Sequence, residues 1–158
     1  MTETSILVVD DEAEVRKLMV DTLDEAGYCA ISSQHAAEAL AALRAFRFAA
    51  IVSDVMMPGL SGLDLLELIR RTHPDVEVVL VTGYVARDVV RAAWSKGASG
   101  FVEKPFEPEK LLDAVAQALE RRDLRRQSWP ARWAGADGAP DIRTERGLHG
   151  AQPSEHWV

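Results

Sequence analysis

The sequence holds one cysteine, Cys29, in 158 residues. An internal disulfide is therefore excluded, and a reducing compartment is the expected setting; Cys29 itself reads as a buried strand residue. No apolar run approaches the roughly 18 residues of a membrane-spanning helix. The N-terminus enters a short strand-like run, without a basic region and a long apolar stretch, so the expected location is cytoplasmic and no membrane partner is expected. The four histidines, His35, His73, His149 and His156, are scattered without metal-ligand spacing and read as surface residues. Positive charge is also in deficit. The formal net charge of -7 argues against nucleic acid as a direct partner. Through Glu120, eleven Lys/Arg stand against twenty Asp/Glu; beyond it, seven Arg stand against five Asp/Glu.

What is present is an ordinary folded chain, 47% hydrophobic and 27% charged. Ser5 to Val9 is an apolar run of strand length, and it ends in Asp10-Asp11-Glu12. A helix follows, with Val15, Leu18, Met19, Thr22 and Leu23 on one face and Gly27 as its stop. Tyr28 to Ser32 is a second strand. Ala36 to Phe46 is helical, with Ala36, Ala39, Leu40 and Leu43 inward. Ala49 to Val52 begins a third strand, which carries Asp54 and breaks at Pro58-Gly59. Ser61 and Asp64 have the spacing of a capping box, ahead of a helix that buries Leu65, Leu66 and Ile69 and stops at His73-Pro74.

Val76 to Val81 is a fourth strand, closed by Thr82-Gly83. A helix from about Val85 to Lys96 gathers Ala86, Val89, Val90, Ala93 and Trp94, and Gly97 caps it. Gly100 to Glu103 is a fifth strand, ending in Lys104-Pro105. Pro108 opens the last helix, whose inner face is Leu111, Leu112, Val115, Ala116 and Leu119. Strict alternation of five strands and five helices implies an α/β fold, a parallel sheet covered on both faces. Residues 1–121 form this domain. Residues 122–158 are read as a helix end and a disordered tail, rich in Gly, Pro, Ala and Arg. Trp129 and Trp133 lie there, read as part of a solvated tail, and Arg121, Arg122, Arg125 and Arg126 are read as a solvated basic helix end that complements the dipole.

In such a sheet the carboxyl ends of the strands share one edge, where ligands and chemistry sit. The first strand brings Asp10 and Asp11 there, the third Asp54, the fourth Thr82 and the fifth Lys104. Three carboxylates repel one another unless a cation lies among them, and an all-oxygen acidic set suits Mg2+. An ammonium and a hydroxyl on the other side complete a site for a phosphoryl group. The middle carboxylate can then attack phosphorus and form an acyl phosphate.

These motifs are Asp10-Asp11 after Ile-Leu-Val-Val, Asp54 in Asp-Val-Met-Met-Pro-Gly, Thr82-Gly83 after Val-Val-Leu-Val, and Lys104-Pro105-Phe106. In this order and spacing the sequence resembles the receiver domain of two-component response regulators, over about residues 4 to 121. The resemblance implies a flavodoxin-like sheet of strand order 2-1-3-4-5 and a phosphoacceptor switch rather than an enzyme with a substrate of its own. Asp54 would take the phosphoryl group from a phosphohistidine of a sensor histidine kinase. Asp11, Asp54 and the backbone carbonyl of Met56 would bind Mg2+, with Asp10 reaching it through water. Thr82 and Lys104 would hold the phosphoryl oxygens, and Phe101 would be the switch aromatic that follows Thr82. The Lys104-Pro105 bond is expected to be cis. The output face would be the fourth helix, fifth strand and fifth helix, which would bind a downstream protein or a second copy of the chain after phosphorylation.

Met56 and Tyr84 are bulky where the family often has polar side chains, which predicts a long-lived acyl phosphate. The sequence shows no DNA-binding output module, so the chain would act through another protein, or pass phosphate to a histidine phosphotransfer protein. A phosphorylation-independent binding module is opposed by the complete set Asp10, Asp11, Asp54, Thr82 and Lys104. An aspartate-dependent phosphohydrolase is opposed by the adjacent pair Asp10-Asp11, where those enzymes have Asp-x-Asp, and by a nucleophile on the third strand instead of the first.

Overall fold

The computed structural model describes residues 3–128. Ten elements alternate: β1 (Ser5–Val9), α1 (Ala13–Glu25), β2 (Cys29–Ser33), α2 (Ala36–Ala45), β3 (Ala50–Asp54), α3 (Gly62–Thr72), β4 (Glu77–Thr82), α4 (Arg87–Ser95), β5 (Gly100–Glu103) and α5 (Pro108–Gln127). The five strands are parallel, in the order β2-β1-β3-β4-β5. The fold and strand order agree with the sequence reading. The first compact unit of the chain ends at Arg122. Among the described residues no helix is long and apolar enough to cross a membrane.

The unbroken apolar runs resolve into two faces, because successive strand residues point to opposite sides. Leu7, Val9, Ile51, Val78 and Leu80 pack under α2, α3 and α4 with Leu43, Leu65, Leu66, Ile69 and Ala93. Ile6, Val8, Val52, Val79, Val81 and Val102 pack under α1 and α5 with Met19, Leu23, Leu111 and Val115. β3, in the middle, is buried along its whole length, Asp54 included.

The capping box forms as its spacing predicts. Ser61 Oγ accepts from Asp64 N–H at 3.1 Å, and Asp64 Oδ2 accepts from Ser61 N–H at 3.0 Å. Gly27 and Gly97, past the ends of α1 and α4, sit at φ of 94° and 93°, where a side chain would be strained. The Lys104-Pro105 bond is cis.

Several inward assignments need correction. Leu18 is 47% exposed, because only Met19, Thr22 and Leu23 of α1 are buried. α4 is shorter than its pattern predicts and buries one residue, Ala93; Trp94 is 48% exposed. Ala116 is exposed, and Ala118, two residues on, is buried on α5 instead. Arg121 and Arg122 are not simply solvated. Arg121 Nη1 donates to the Ser99 carbonyl at 2.7 Å, and Arg122 donates to both the carbonyl and the carboxylate of Asp75. Trp129, Trp133, His149 and His156, and the tail that holds them, lie outside the described residues.

Candidate functional site

The site is built at the carboxyl edge of β1, β3, β4 and β5. Parallel register brings the strand ends level: Asp54 pairs with Val81, and Thr82 with Glu103. The chain leaves β1 into Asp10, whose N–H still bonds the β2 carbonyl of Ser33 at 3.2 Å. Asp10 is fully buried, and Asp54 is 3% exposed. After β5, Lys104 N–H donates to the Thr82 carbonyl at 2.8 Å, which anchors the lysine backbone to the end of β4.

Lys104 Nζ reaches back across the edge. It donates to Asp10 Oδ2 at 2.8 Å, lies 3.3 Å from Asp54 Oδ2 and stands 3.7 Å from Glu12 Oε1. The other oxygen of each buried acid is held by backbone. Glu12 N–H donates to Asp10 Oδ1 at 2.8 Å, and Met56 N–H donates to Asp54 Oδ1 at 3.2 Å. Thr82, 1% exposed, accepts from Tyr84 N–H at 3.1 Å through its Oγ1. Phe101 is half-buried against the core under α2, α3 and α4. Met56 and Tyr84 are 60% and 59% exposed.

Asp10, Asp54 and Lys104 therefore meet, and Thr82 shares their edge. Asp11, next in the chain, has an exposed side chain, as does Glu12. The Glu12 carboxylate comes up to the buried pair. One carboxylate oxygen each from Asp10, Glu12 and Asp54 lie within 4.8 Å of one another. Glu12 has extended backbone (φ -85°, ψ 111°) at the N-cap of α1.

Burial pushes the Asp54 carboxyl above the ordinary aspartate pKa; the Lys104 charge opposes this, and Asp10 adds to it. Burial works against the Lys104 ammonium, but its hydrogen bond to Asp10 and the charges of Asp10 and Asp54 outweigh this and hold it above the ordinary lysine value. Three carboxylates thus gather around a single ammonium. The donors of the cluster are all oxygen, which fits a hard divalent cation.

Comparison with known proteins agrees with this geometry. The sequence profile of the response regulator receiver domain matches residues 6–116. The nitrogen assimilation regulatory protein NtrX of Azorhizobium caulinodans is 40% identical over 124 residues, 77% of this chain and 27% of that protein. The chain thus spans about a quarter of that relative's length. Among solved structures, a CheY-like receiver domain protein of Methanospirillum hungatei superposes with a TM-score of 0.75 at 26% identity, over 78% of this chain and 99% of that one. The beryllofluoride-activated NtrC4 receiver domain dimer superposes with a TM-score of 0.71 at 34% identity, over 75% of this chain and 98% of that one.

Proposed function

Because the chain belongs to the response regulator receiver domain family, we propose that Asp54 accepts a phosphoryl group from a phosphohistidine of a sensor histidine kinase and that the acyl phosphate switches partner binding. The observation that carries the reading is the buried Asp54 at the end of β3, 3.3 Å from the Lys104 ammonium and within reach of two more carboxylates. In the transfer, an Asp54 carboxylate oxygen forms a bond to phosphorus as the phosphorus–nitrogen bond breaks, and the imidazole leaves with that electron pair. Lys104 keeps Asp54 ionised for attack and then neutralises a phosphoryl oxygen. Thr82 Oγ1 accepts from Tyr84 N–H, so its own proton is left to donate to another phosphoryl oxygen. Asp10, Asp11, Asp54 and the Met56 carbonyl would hold Mg2+, and the position of the Glu12 carboxylate adds it to that set. Bound there, Mg2+ would neutralise charge on the transferring group.

The output is a population shift. Phosphate favours the arrangement in which Thr82 and Phe101 bind it better, and a near-complete switch takes about 5.5 kcal/mol of differential interaction. α4 suits the moving part, since it buries only Ala93 and leaves Tyr84, Val85 and Trp94 beside or on it exposed. The face of α4, β5 and α5 would then bind a downstream protein or a second copy, as the dimeric state of the activated NtrC4 receiver suggests for a relative. Transfer onward to a histidine phosphotransfer protein uses the same site. A cytoplasmic setting follows from a kinase partner of this kind.

The test is mass measurement of the protein after incubation with acetyl phosphate, with and without Mg2+. Uptake of one phosphoryl group only with Mg2+ supports the reading; no uptake under conditions that preserve acyl phosphates turns the site into a phosphorylation-independent binding surface. Met56 and Tyr84, exposed and two residues beyond Asp54 and Thr82, would hinder an attacking water. Met56→Asn with Tyr84→Glu is expected to shorten the phosphate lifetime about tenfold, a barrier change of roughly 1.4 kcal/mol. Loss of phosphate from the unmodified protein within seconds would contradict a shielding role.

A further inference from the structure

Arg16 has no part in the chemistry above. It lies in α1, half-buried, and its Nη1 donates to the backbone carbonyl of Asp10 at 2.7 Å. Its own N–H makes an early bond of the helix, to the Glu12 carbonyl, at 2.9 Å. With these bonds every polar group of Asp10 is tied down. The amide goes to Ser33, the carboxylate to Glu12 N–H and Lys104, and the carbonyl to Arg16.

The carbonyl bond matters most for the residues that follow. A peptide unit is planar, so the Asp10 carbonyl fixes the plane from which Asp11 departs. The chain from Asp10 to Glu12 carries three consecutive acids. Their mutual repulsion favours spreading when no cation is bound. A guanidinium at the Asp10 carbonyl opposes that spreading with a fixed donor and a positive charge.

We propose that Arg16 is a positioning residue that holds the Asp10-Asp11-Glu12 loop in its cation-binding arrangement before the cation arrives. It acts through the backbone of Asp10 and touches neither the cation nor the phosphoryl group. This rests on the reading that the acidic cluster binds Mg2+. The contact is a single hydrogen bond from one nitrogen, so one cationic donor suffices and lysine can replace it.

The experiment uses the full chain with Arg16→Met and Arg16→Lys. Mg2+ affinity is read by calorimetric titration. Hydrogen–deuterium exchange over residues 10–14 and the thermal melt are read in metal-free buffer. Arg16→Met is expected to weaken Mg2+ binding about tenfold, the lower end of what outer-sphere partners of metal ligands contribute. It is expected to speed exchange in the loop while leaving the metal-free melt unchanged. Arg16→Lys is expected to stay within about threefold of the unmodified chain, since it keeps the charge and one donor. Arg16→Met that binds Mg2+ as the unmodified protein does, or shows no faster exchange, overturns the proposal. So does a loss of affinity matched by a general loss of stability, or an Arg16→Lys as weak as Arg16→Met. If the unmodified chain binds no Mg2+, the cation reading fails, and loop exchange in metal-free buffer still decides whether Arg16 holds the loop.

Discussion

Gly62→Ala is expected to lower stability by roughly 3 kcal/mol and the melting temperature by on the order of 10 °C. Gly62 is the first residue of α3 and is buried against the end of β3. A Cβ there would collide with the Asp54 carbonyl oxygen and lie 2.8 Å from Val55 Cα and 2.9 Å from Asp54 C. These are backbone atoms, which cannot rotate away. The Gly62 N–H also donates to the Val55 carbonyl at 2.9 Å, so helix and strand end are bonded at the point of collision. Relief requires that α3 or Asp54 move, and displacing Asp54 spoils its alignment with Lys104. Phosphoryl uptake should therefore fall along with stability. Gly83→Ala is the control: its added methyl would meet only Lys104 Cβ, at 3.8 Å, an ordinary contact. A thermal melt of both variants checks this, and equal melts would refute the close-approach argument.

Lys104→Met is expected to cost the metal-free protein about 3 kcal/mol at pH 7, because it leaves buried Asp10 and Asp54 without their shared ammonium. The pH dependence follows from the direction of the shifts. Asp54 is already raised above its ordinary value by burial, with Lys104 opposing. Without Lys104 it rises further. A carboxyl whose folded pKa lies above its unfolded one favours the fold below the unfolded value, and that contribution is lost as pH rises through the folded value. The deficit of Lys104→Met should thus be smallest in acid and grow from the ordinary carboxylate range toward neutrality. Asp54→Asn should do the reverse, stabilising the metal-free protein at pH 7 by removing a charge that burial disfavours, with the gain shrinking on acidification. Lys104 itself is raised, so its pairing holds across neutral pH and is lost only as pH climbs past the ordinary lysine value. Melts of both variants from acid through neutral pH would expose an error through a deficit that does not grow with pH.

The sheet was readable because buried parallel strands are long apolar runs between helical patterns, and Asp10, Asp54, Thr82 and Lys104 fall just at or beyond their ends. Topology then carries these residues to one edge, whatever the details of packing. Two parts of the site were not readable in this way. The place of Glu12 beside Asp10 and Asp54 depends on the local path of the chain out of β1, which a strand-end rule does not supply. The role of Gly62 depends on how closely α3 approaches β3, a distance that spacing does not encode. The α4 periodicity overstated its burial, since a helix of nine residues meets few neighbours and leaves Trp94 out. The basic end of α5 looked solvated because its acceptors, the Ser99 carbonyl and Asp75, are distant in sequence.

The central claim is that Asp54, and no other acid at this edge, carries the phosphoryl group. The most direct measurement is reduction of the acetyl phosphate-treated protein with borohydride, which converts an aspartyl phosphate to homoserine, followed by peptide mass spectrometry. The account predicts homoserine at position 54 alone, formed only when Mg2+ was present, and none in Asp54→Asn. Homoserine at position 10 or 11 with residue 54 intact, or conversion unchanged in Asp54→Asn, would contradict it.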